Sequence, residues 1–324
     1  MNINQINKLI KQDIININFE IHKRLKSNII LINKFIKYII NSGGKKIRST
    51  MILLIAKSLT YNKTQHTILA TLIEFIHTAT LLHDDVIDHS TTRRGKTTAN
   101  IIFGNPASIL IGDFIYTRAF QMMTELQSLR ILSLMADAVN IIAEGEILQL
   151  TYCNDPTITM NNYMQIIYKK TARLFEVASQ SSAILAHANI QQEQALSNYG
   201  KYIGIAFQLI DDLLDYNASD IVSFGKNIGN DLNEGKLTLP LLHAIYHSTP
   251  KEASIIHQAI TDKNNQNLLY TVLNIMQQYG SLDYTRKCAE TKINKAINCL
   301  NILSPSPYKH ALKHLAYFIL TRCY

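Results

Sequence analysis

Apolar residues return at every third or fourth position through most of the chain, the spacing that lines one face of an α-helix. The pattern predicts helices near 5–20, 24–41, 46–60, 64–88, 106–125, 128–152, 160–188, 193–216, 237–248, 251–262, 265–279, 281–302 and 307–322. Only 12 Gly and 6 Pro punctuate these stretches, and no train of alternating strands appears. The expected class is all-α, a bundle of long helices. Local signals fix some ends. Asn105 before Pro106 reads as a cap and first turn, Thr159 as the cap after the loop 154–162, and "SPSP" at 304–307 as the break before the last helix.

Three interruptions are polar and rich in Gly, Lys or Arg: 41–49, 89–104 and 217–236. The last two directly follow the only internal echo in the chain. "DDVID" at 84–88 and "DDLLD" at 211–215 each close an otherwise apolar predicted helix. Residues three, four and seven apart share a helix face. His77, Asp84 and Asp88 therefore lie near one stripe with Asp85 alongside, and Gln208, Asp211, Asp212 and Asp215 form the same construction. The C-terminal end of a helix disfavours added negative charge, and crowded carboxylates disfavour one another's ionisation. Oxygen donors at this spacing suit Mg²⁺, which bridges one or two carboxylates to substrate phosphates. The cations that could take those phosphates stand close in sequence: Lys45 and Arg48, Arg93 and Arg94, Lys170 before Thr171, and Lys226 and Lys236. The inferred site holds two anionic phosphate groups, one through metal and one directly on basic residues.

Composition narrows the alternatives. The chain has 324 residues, 47% hydrophobic and 17% charged, enough for a large core, and shows no linker. A single domain over 1–324 is expected. The net charge of +8 is spread along the chain without a dense basic block, so nucleic acid is not an expected partner. The four cysteines, Cys153, Cys288, Cys299 and Cys323, make no Cys-x-x-Cys pair and read as free thiols of a reducing cytoplasm. The N-terminal "MNINQINKLIKQDI" does not read as a signal peptide, and charge interrupts the most apolar runs, so no membrane span is expected.

Taken together, these residues resemble the trans-type polyprenyl diphosphate synthases over essentially the full length. Asp84-Asp85-x-x-Asp88 followed by Arg93-Arg94-Gly95 resembles the first aspartate-rich motif of that family, and Gln208 with 211–215 the second. "GGKKIRS" resembles its Gly-Gly-Lys-x-x-Arg-Pro turn, "YKKTARLFE" its Lys-Thr segment, and "GKNIGNDLNEGKLTLP" its closing loop. Further detail, such as "AEGEILQL" and "DDLLDYNASD", looks closest to the bacterial octaprenyl-forming branch.

The resemblance implies the type I isoprenoid synthase fold, a bundle around a deep cavity with the acid clusters facing each other across its mouth. It implies a Mg²⁺-dependent enzyme, up to three ions per site, that extends an allylic diphosphate such as farnesyl diphosphate with isopentenyl diphosphate to a long polyprenyl chain, of octaprenyl length, for a quinone. Asp84, Asp85, Asp88, Asp211, Asp212 and Asp215 would hold the metal. Arg93, Lys170, Lys226 and Lys236 would contact the allylic diphosphate, and Lys45, Arg48, His77 and Arg94 that of isopentenyl diphosphate. Thr171 and Gln208 would stabilise the developing carbocation. A homodimer that hands its product to membrane enzymes is also implied. Small Ala79 and Thr80, just before the first motif, leave room for elongation, and Phe120, Met122 or Met123 would form the floor. Ser49 departs from the usual proline of the turn, and the tail, with Arg322 its one cation, is not expected to reach the site. A terpene cyclase would lack the Lys45/Arg48/His77 group, a non-catalytic partner subunit would lack the aspartates, and a plain cation binder would not need the basic residues.

Overall fold

The structure is a computed structural model that describes residues 1–216, 229–261 and 268–322. It begins with α1 (Ile3–Leu9), α2 (Lys11–Leu25) and α3 (Ile30–Asn41). The centre holds α4 (Ile47–Ser58), α5 (Gln65–Ile87), α7 (Asn105–Glu125), α8 (Leu129–Thr151), α10 (Arg173–Leu185) and α11 (Ile190–Asp215). Short elements join them: β1 (Thr92–Arg93), β2 (Lys96–Thr97), α6 (Ala99–Phe103) and α9 (Met160–Ile167), which runs through a π turn (Tyr168–Ala172) into α10. After α12 (Asn230–Asn233) come α13 (Leu239–His247), α14 (Pro250–Thr261), α15 (Leu269–Gln278), α16 (Ser281–Cys299) and α17 (Pro307–Thr321). The expectation of an all-α bundle holds.

Burial explains the arrangement. Residues 47–56 of α4 are all buried, so this helix is covered on every side, as a helix apolar all round must be. It lies against α5, α10 and α17, while α5 also packs along α7 and α11 along α10 and α16. The two acid-bearing helices α5 and α11 thereby become neighbours of one core. Their capping is local: Asn189 forms a reciprocal capping box with Gln192 at the start of α11. Thr159 caps α9 as the sequence predicts, and Ser306 caps α17 ahead of Pro307.

Four segments differ from the predicted pattern. The first predicted helix is broken at Ile10 into α1 and α2. Asn105 is the first residue of α7 and Gly104 its cap. The stretch 89–104 contains the β1–β2 hairpin, with Arg94 and Gly95 both at positive φ in its two-residue turn. The predicted helix 160–188 contains the π turn. Among the described residues no helix is long and apolar enough to cross a membrane.

Candidate active site

The first acid cluster ends α5. Asp85 is buried and accepts a hydrogen bond from Arg93 Nε at 2.8 Å. The hairpin turn makes this possible by folding the chain back over the helix end. Asp84 lies 3.8 Å from Lys170 Nζ, and Asp88 lies 2.9 Å from Lys236 Nζ. Burial raises the carboxyls of Asp84 and Asp85 above their ordinary range, with Lys170 and Arg93 opposing the shift. The pKa of Lys236 is raised too, for the opposite reason: burial disfavours its charge, but Asp88 and Glu234 outweigh burial and keep it protonated.

The second cluster ends α11 and has other partners. Asp212 is buried, accepts from Tyr163 Oη at 2.5 Å and Gln208 Nε2 at 2.8 Å, and has its carboxyl pushed up to about 7, chiefly by burial. Asp211 pairs with Arg322 at 2.6 Å. Asp215 accepts from the backbone amides of Asn230 and Asp231 at 3.2 and 2.9 Å. Asp231, absent from the sequence reading, adds a fourth carboxyl; burial and then Asp215 hold it well above its usual range.

Between the clusters runs the π turn. Its tight placement needs two glycines far apart in sequence. A Cβ on Gly145 of α8 would meet Lys169 Cβ at 2.7 Å and Lys170 N at 2.8 Å, and one on Gly204 of α11 would meet Ala172 Cα at 2.5 Å. The bulge is thus clamped between two bare helix surfaces, a device often found at functional sites. It projects Lys170 toward Glu146 (2.6 Å), Gln149 (2.8 Å) and Asp84, while Thr171 donates to Gln208 Oε1 at 2.7 Å. Burial raises Glu146 to about 7, with Lys170 opposing.

A cationic group lies alongside. The Arg48 guanidinium is buried, stacks 4.1 Å from the Phe175 ring centroid, and has its pKa drawn down to about 10 by burial. Its Nε has no hydrogen-bond partner among the described residues. Arg322 lies 3.7 Å from the Phe207 ring, which also faces Arg48 at 5.9 Å. Lys45 approaches Phe318, and Arg94 donates to the carbonyl of Gly43. Gly44 lies directly under this guanidinium, so that a Cβ there would meet Arg94 Nη1 at 2.7 Å and push the arginine head aside. His77 is held neutral by burial and by the charges of Arg48, Arg94 and Arg93. Glu74 balances the group and is anchored by Ser49, whose backbone N–H and hydroxyl both donate to it, the latter at 2.6 Å. Proline could supply neither donor.

The chain-length candidates fall into two settings. Ala79, Met122 and Met123 are fully buried, and Thr80 is half-buried with its hydroxyl on the carbonyl of His77. Phe120 is 40% exposed beside Tyr116, on the outside of α7 and not in the interior. Lys226 lies outside the described residues. The tail was expected to stay clear of the site, but the packing of α17 brings Arg322 onto Asp211. Sequence reading missed Tyr163, Glu146, Gln149, Glu74 and Asp231. For Glu146, Gln149 and Tyr163 a signal existed: the first two stand inside the quoted AEGEILQL, one and four residues after Gly145, and Tyr163 lies six residues before Lys169.

The donor set suits a hard divalent cation. Among the described residues no three His, Cys, Asp or Glu side chains converge as a closed metal cage. Buried carboxylates with raised pKa values on two facing walls, open to further oxygen ligands, suit an ion that keeps waters and shares substrate phosphates.

Two acidic helix ends, a lysine bulge between them and a separate arginine pocket define a prenyl diphosphate enzyme of the isoprenoid synthase fold. The chain belongs to the polyprenyl synthetase family, whose model matches residues 30–276, and it is a prenyltransferase. It is 55% identical over 322 residues to octaprenyl diphosphate synthase of Escherichia coli K12, covering 99% of each chain. It is 50% identical over 324 residues to that of Haemophilus influenzae, covering 100% of this chain and 98% of the relative. A polyprenyl synthase from Caulobacter crescentus, solved with calcium and isoprenyl diphosphate, superposes with a TM-score of 0.94 at 38% identity, covering 99% of this chain and 98% of that one. A decaprenyl diphosphate synthase from Rhodobacter capsulatus gives 0.93 at 36%, with 98% of each chain covered.

Proposed function

We propose that the chain extends an allylic diphosphate, farnesyl diphosphate being the expected primer, with successive isopentenyl diphosphate units to all-trans octaprenyl diphosphate, a quinone side-chain precursor. The observation that carries this reading is the pair of unlike anion subsites. One is carboxylate-lined and reached by Lys170 and Lys236; the other is built of Arg48, Arg94, Lys45 and His77 without a carboxylate cluster of its own. A reaction that ionises one diphosphate while retaining another needs that division. A simple hydrolase or cation binder does not.

Of the six aspartates expected to hold metal, Asp85 is engaged by Arg93 and Asp215 by the backbone amides of Asn230 and Asp231, so Asp84, Asp88, Asp211 and Asp212 would hold Mg²⁺, up to three ions counting those shared with substrate. The bound ions would offset negative charge on the allylic diphosphate as its C–O bond breaks. Lys170, Lys236 and Arg93 add direct positive charge to the same leaving group. Arg48, Arg94, Lys45 and neutral His77 orient the second diphosphate so that the double bond of isopentenyl diphosphate faces the allylic carbon. A new C–C bond forms there, and the proton lost from the adduct passes to the released diphosphate. Thr171 and Gln208 would face the cation between these events.

For chain length, buried Ala79 supports passage beyond the first motif and Met123 supports a floor on α7. Met123→Ala is expected to shift products to longer chains, read by thin-layer or mass sizing; an unchanged distribution removes Met123 from that role. Exposed apolar residues on α7 and α8, including Leu110 and Ile147, support a homodimer. The chain would work in the cytoplasm and pass its apolar product to membrane enzymes. Incubation with farnesyl diphosphate, labelled isopentenyl diphosphate and Mg²⁺ tests the whole reading. Mg²⁺-dependent labelled octaprenyl diphosphate is expected, and absence of any elongation would overturn it.

A further inference from the structure

We propose that Asp215 is a positioning residue, and that its carboxylate anchors the turn 229–236 so that Lys236 reaches Asp88. The inference rests on the reading above, because Lys236 matters there as a ligand of the leaving diphosphate.

Asp215 is the last residue of α11, where the helix dipole opposes a negative charge. Its compensation is structural. The Gly229 N–H donates to the Asp215 carbonyl at 2.9 Å, and the next two amides take one carboxylate oxygen each. Successive backbone N–H groups around one anion form a nest, and hydrogen bonds to an ionised acceptor are about twice as strong as neutral ones. Gly229 makes the nest possible. It sits at φ 72°, and a Cβ there would strike Leu269 Cδ1 at 2.6 Å.

From the nest to Lys236 the chain is tied at every step. The Gly235 N–H donates to Leu232 O at 3.0 Å and the Lys236 N–H to Asp231 O at 2.8 Å. The other side of the turn is fastened to the start of the 154–162 loop, where the Asn154 N–H donates to Gly235 O at 2.8 Å. Lys236 Nζ then lies 2.9 Å from Asp88 and 2.7 Å from Glu234. The path therefore runs from the end of α11 through a short hydrogen-bonded turn to the end of α5. Asp211 faces an arginine and Asp212 two side-chain donors. Of the three, Asp215 is the carboxylate that holds the backbone of the turn, through the Asn230 and Asp231 N–H groups.

The test compares Asp215→Ala, Asp215→Asn, Lys236→Ala, the double variant Asp215→Ala/Lys236→Ala, and Asp211→Ala in the full chain. Steady-state kinetics and the half-activating Mg²⁺ concentration are measured for each, with amide hydrogen exchange over 229–236. Asp215→Ala is expected to lower kcat by about 10- to 100-fold and leave half-activating Mg²⁺ within about twofold. The double variant should be no worse than Lys236→Ala within about threefold, because both remove one function. Exchange over 229–236 should speed up in Asp215→Ala and not in Asp211→Ala. Asp215→Asn keeps one oxygen acceptor, so it should be intermediate in kcat and exchange; it also carries the test if the alanine variant does not fold. A tenfold or larger rise in half-activating Mg²⁺, multiplicative losses in the double variant, or unchanged exchange would each overturn the proposal. The exchange measurement needs no turnover, so it judges Asp215 even if the wild-type protein shows no elongation and the functional reading fails.

Discussion

The ends of α5 and α11 carry the same Asp-Asp-x-x-Asp spacing but are answered by different chemistry. Around Asp84, Asp85 and Asp88 the partners are cations delivered by separate elements: Lys170 from the π turn, Arg93 from the hairpin and Lys236 from the turn after α12. Around the second cluster they include a phenol and an amide side chain on Asp212, backbone N–H groups on Asp215, and Arg322 on Asp211. In the first wall each aspartate meets a cation, two of them shared with Glu146 and Glu234, while in the second the buried Asp212 carboxyl, raised to about 7, meets uncharged donors. Spacing fixes which side chains share a face. Their neighbours in three dimensions fix what those side chains can do.

The sharpest way to break the comparison is to remove one acid from each wall. Asp84→Ala and Asp211→Ala are each expected to lower kcat/KM by about 10³-fold or more with the fold intact, measured by elongation assay and circular dichroism. If one wall tolerates the loss, the site is not built from two equivalent halves. Next in size is Gly145→Ala, which drives a methyl into the π turn that spans both walls. Overpacking of this kind costs about 1–3 kcal/mol, and displacement of Lys170 should reduce kcat about tenfold or more; thermal melts and kinetics check the two effects separately.

Arg322→Ala should act on the second wall and its cationic pocket. KM for isopentenyl diphosphate is expected to rise about tenfold with a smaller change in kcat, and Arg322→Lys should recover part of it. A shift confined to the allylic substrate would place Arg322 with the first wall instead. The smallest effect belongs to an acid outside the site. Burial would raise Asp13, but the His66 hydrogen bond and the Lys57 charge outweigh it and hold this carboxyl below its ordinary range. A depressed native pKa gives stability that is present above the unfolded value and is lost as pH falls through the native one. Asp13→Asn should therefore cost about 1–2 kcal/mol at pH 7, with the gap to wild type closing below about pH 4, measured by urea unfolding at both pH values.

Much of this was legible in the chain. Long helices such as α5 and α11 announce themselves because burial on one side imposes a 3.6-residue repeat, and the aspartates stand out against that apolar background. The π turn was hidden for the complementary reason. One extra residue per turn barely disturbs the repeat, and its true causes, Gly145 and Gly204, lie 26 positions before and 33 after Thr171 in the chain, by their numbers. The hairpin escaped because its two-residue strands are too short to show alternation, and its turn uses Arg94 where glycine or asparagine would have given it away. Arg322 was visible as the tail's cation but was read as out of reach of the site. Its place beside Asp211 is set by the packing of α17 against α4 and α11, which no local pattern encodes.

The hydrogen bonds that run from Thr171 have a direction as well as a length. The Thr171 hydroxyl gives its hydrogen to Gln208 Oε1, the amide nitrogen of Gln208 gives one to Asp212, and Tyr163 gives another to the same carboxylate. Every arrow points toward Asp212, so the amide cannot turn over without breaking two bonds at once. A hydroxyl whose hydrogen is spoken for has lone pairs alone to offer on its other side. Thr171 is thereby made one-sided: it can greet a positive centre but has no proton to lend, and a reactive cation passing it meets an oxygen dipole already turned the right way round.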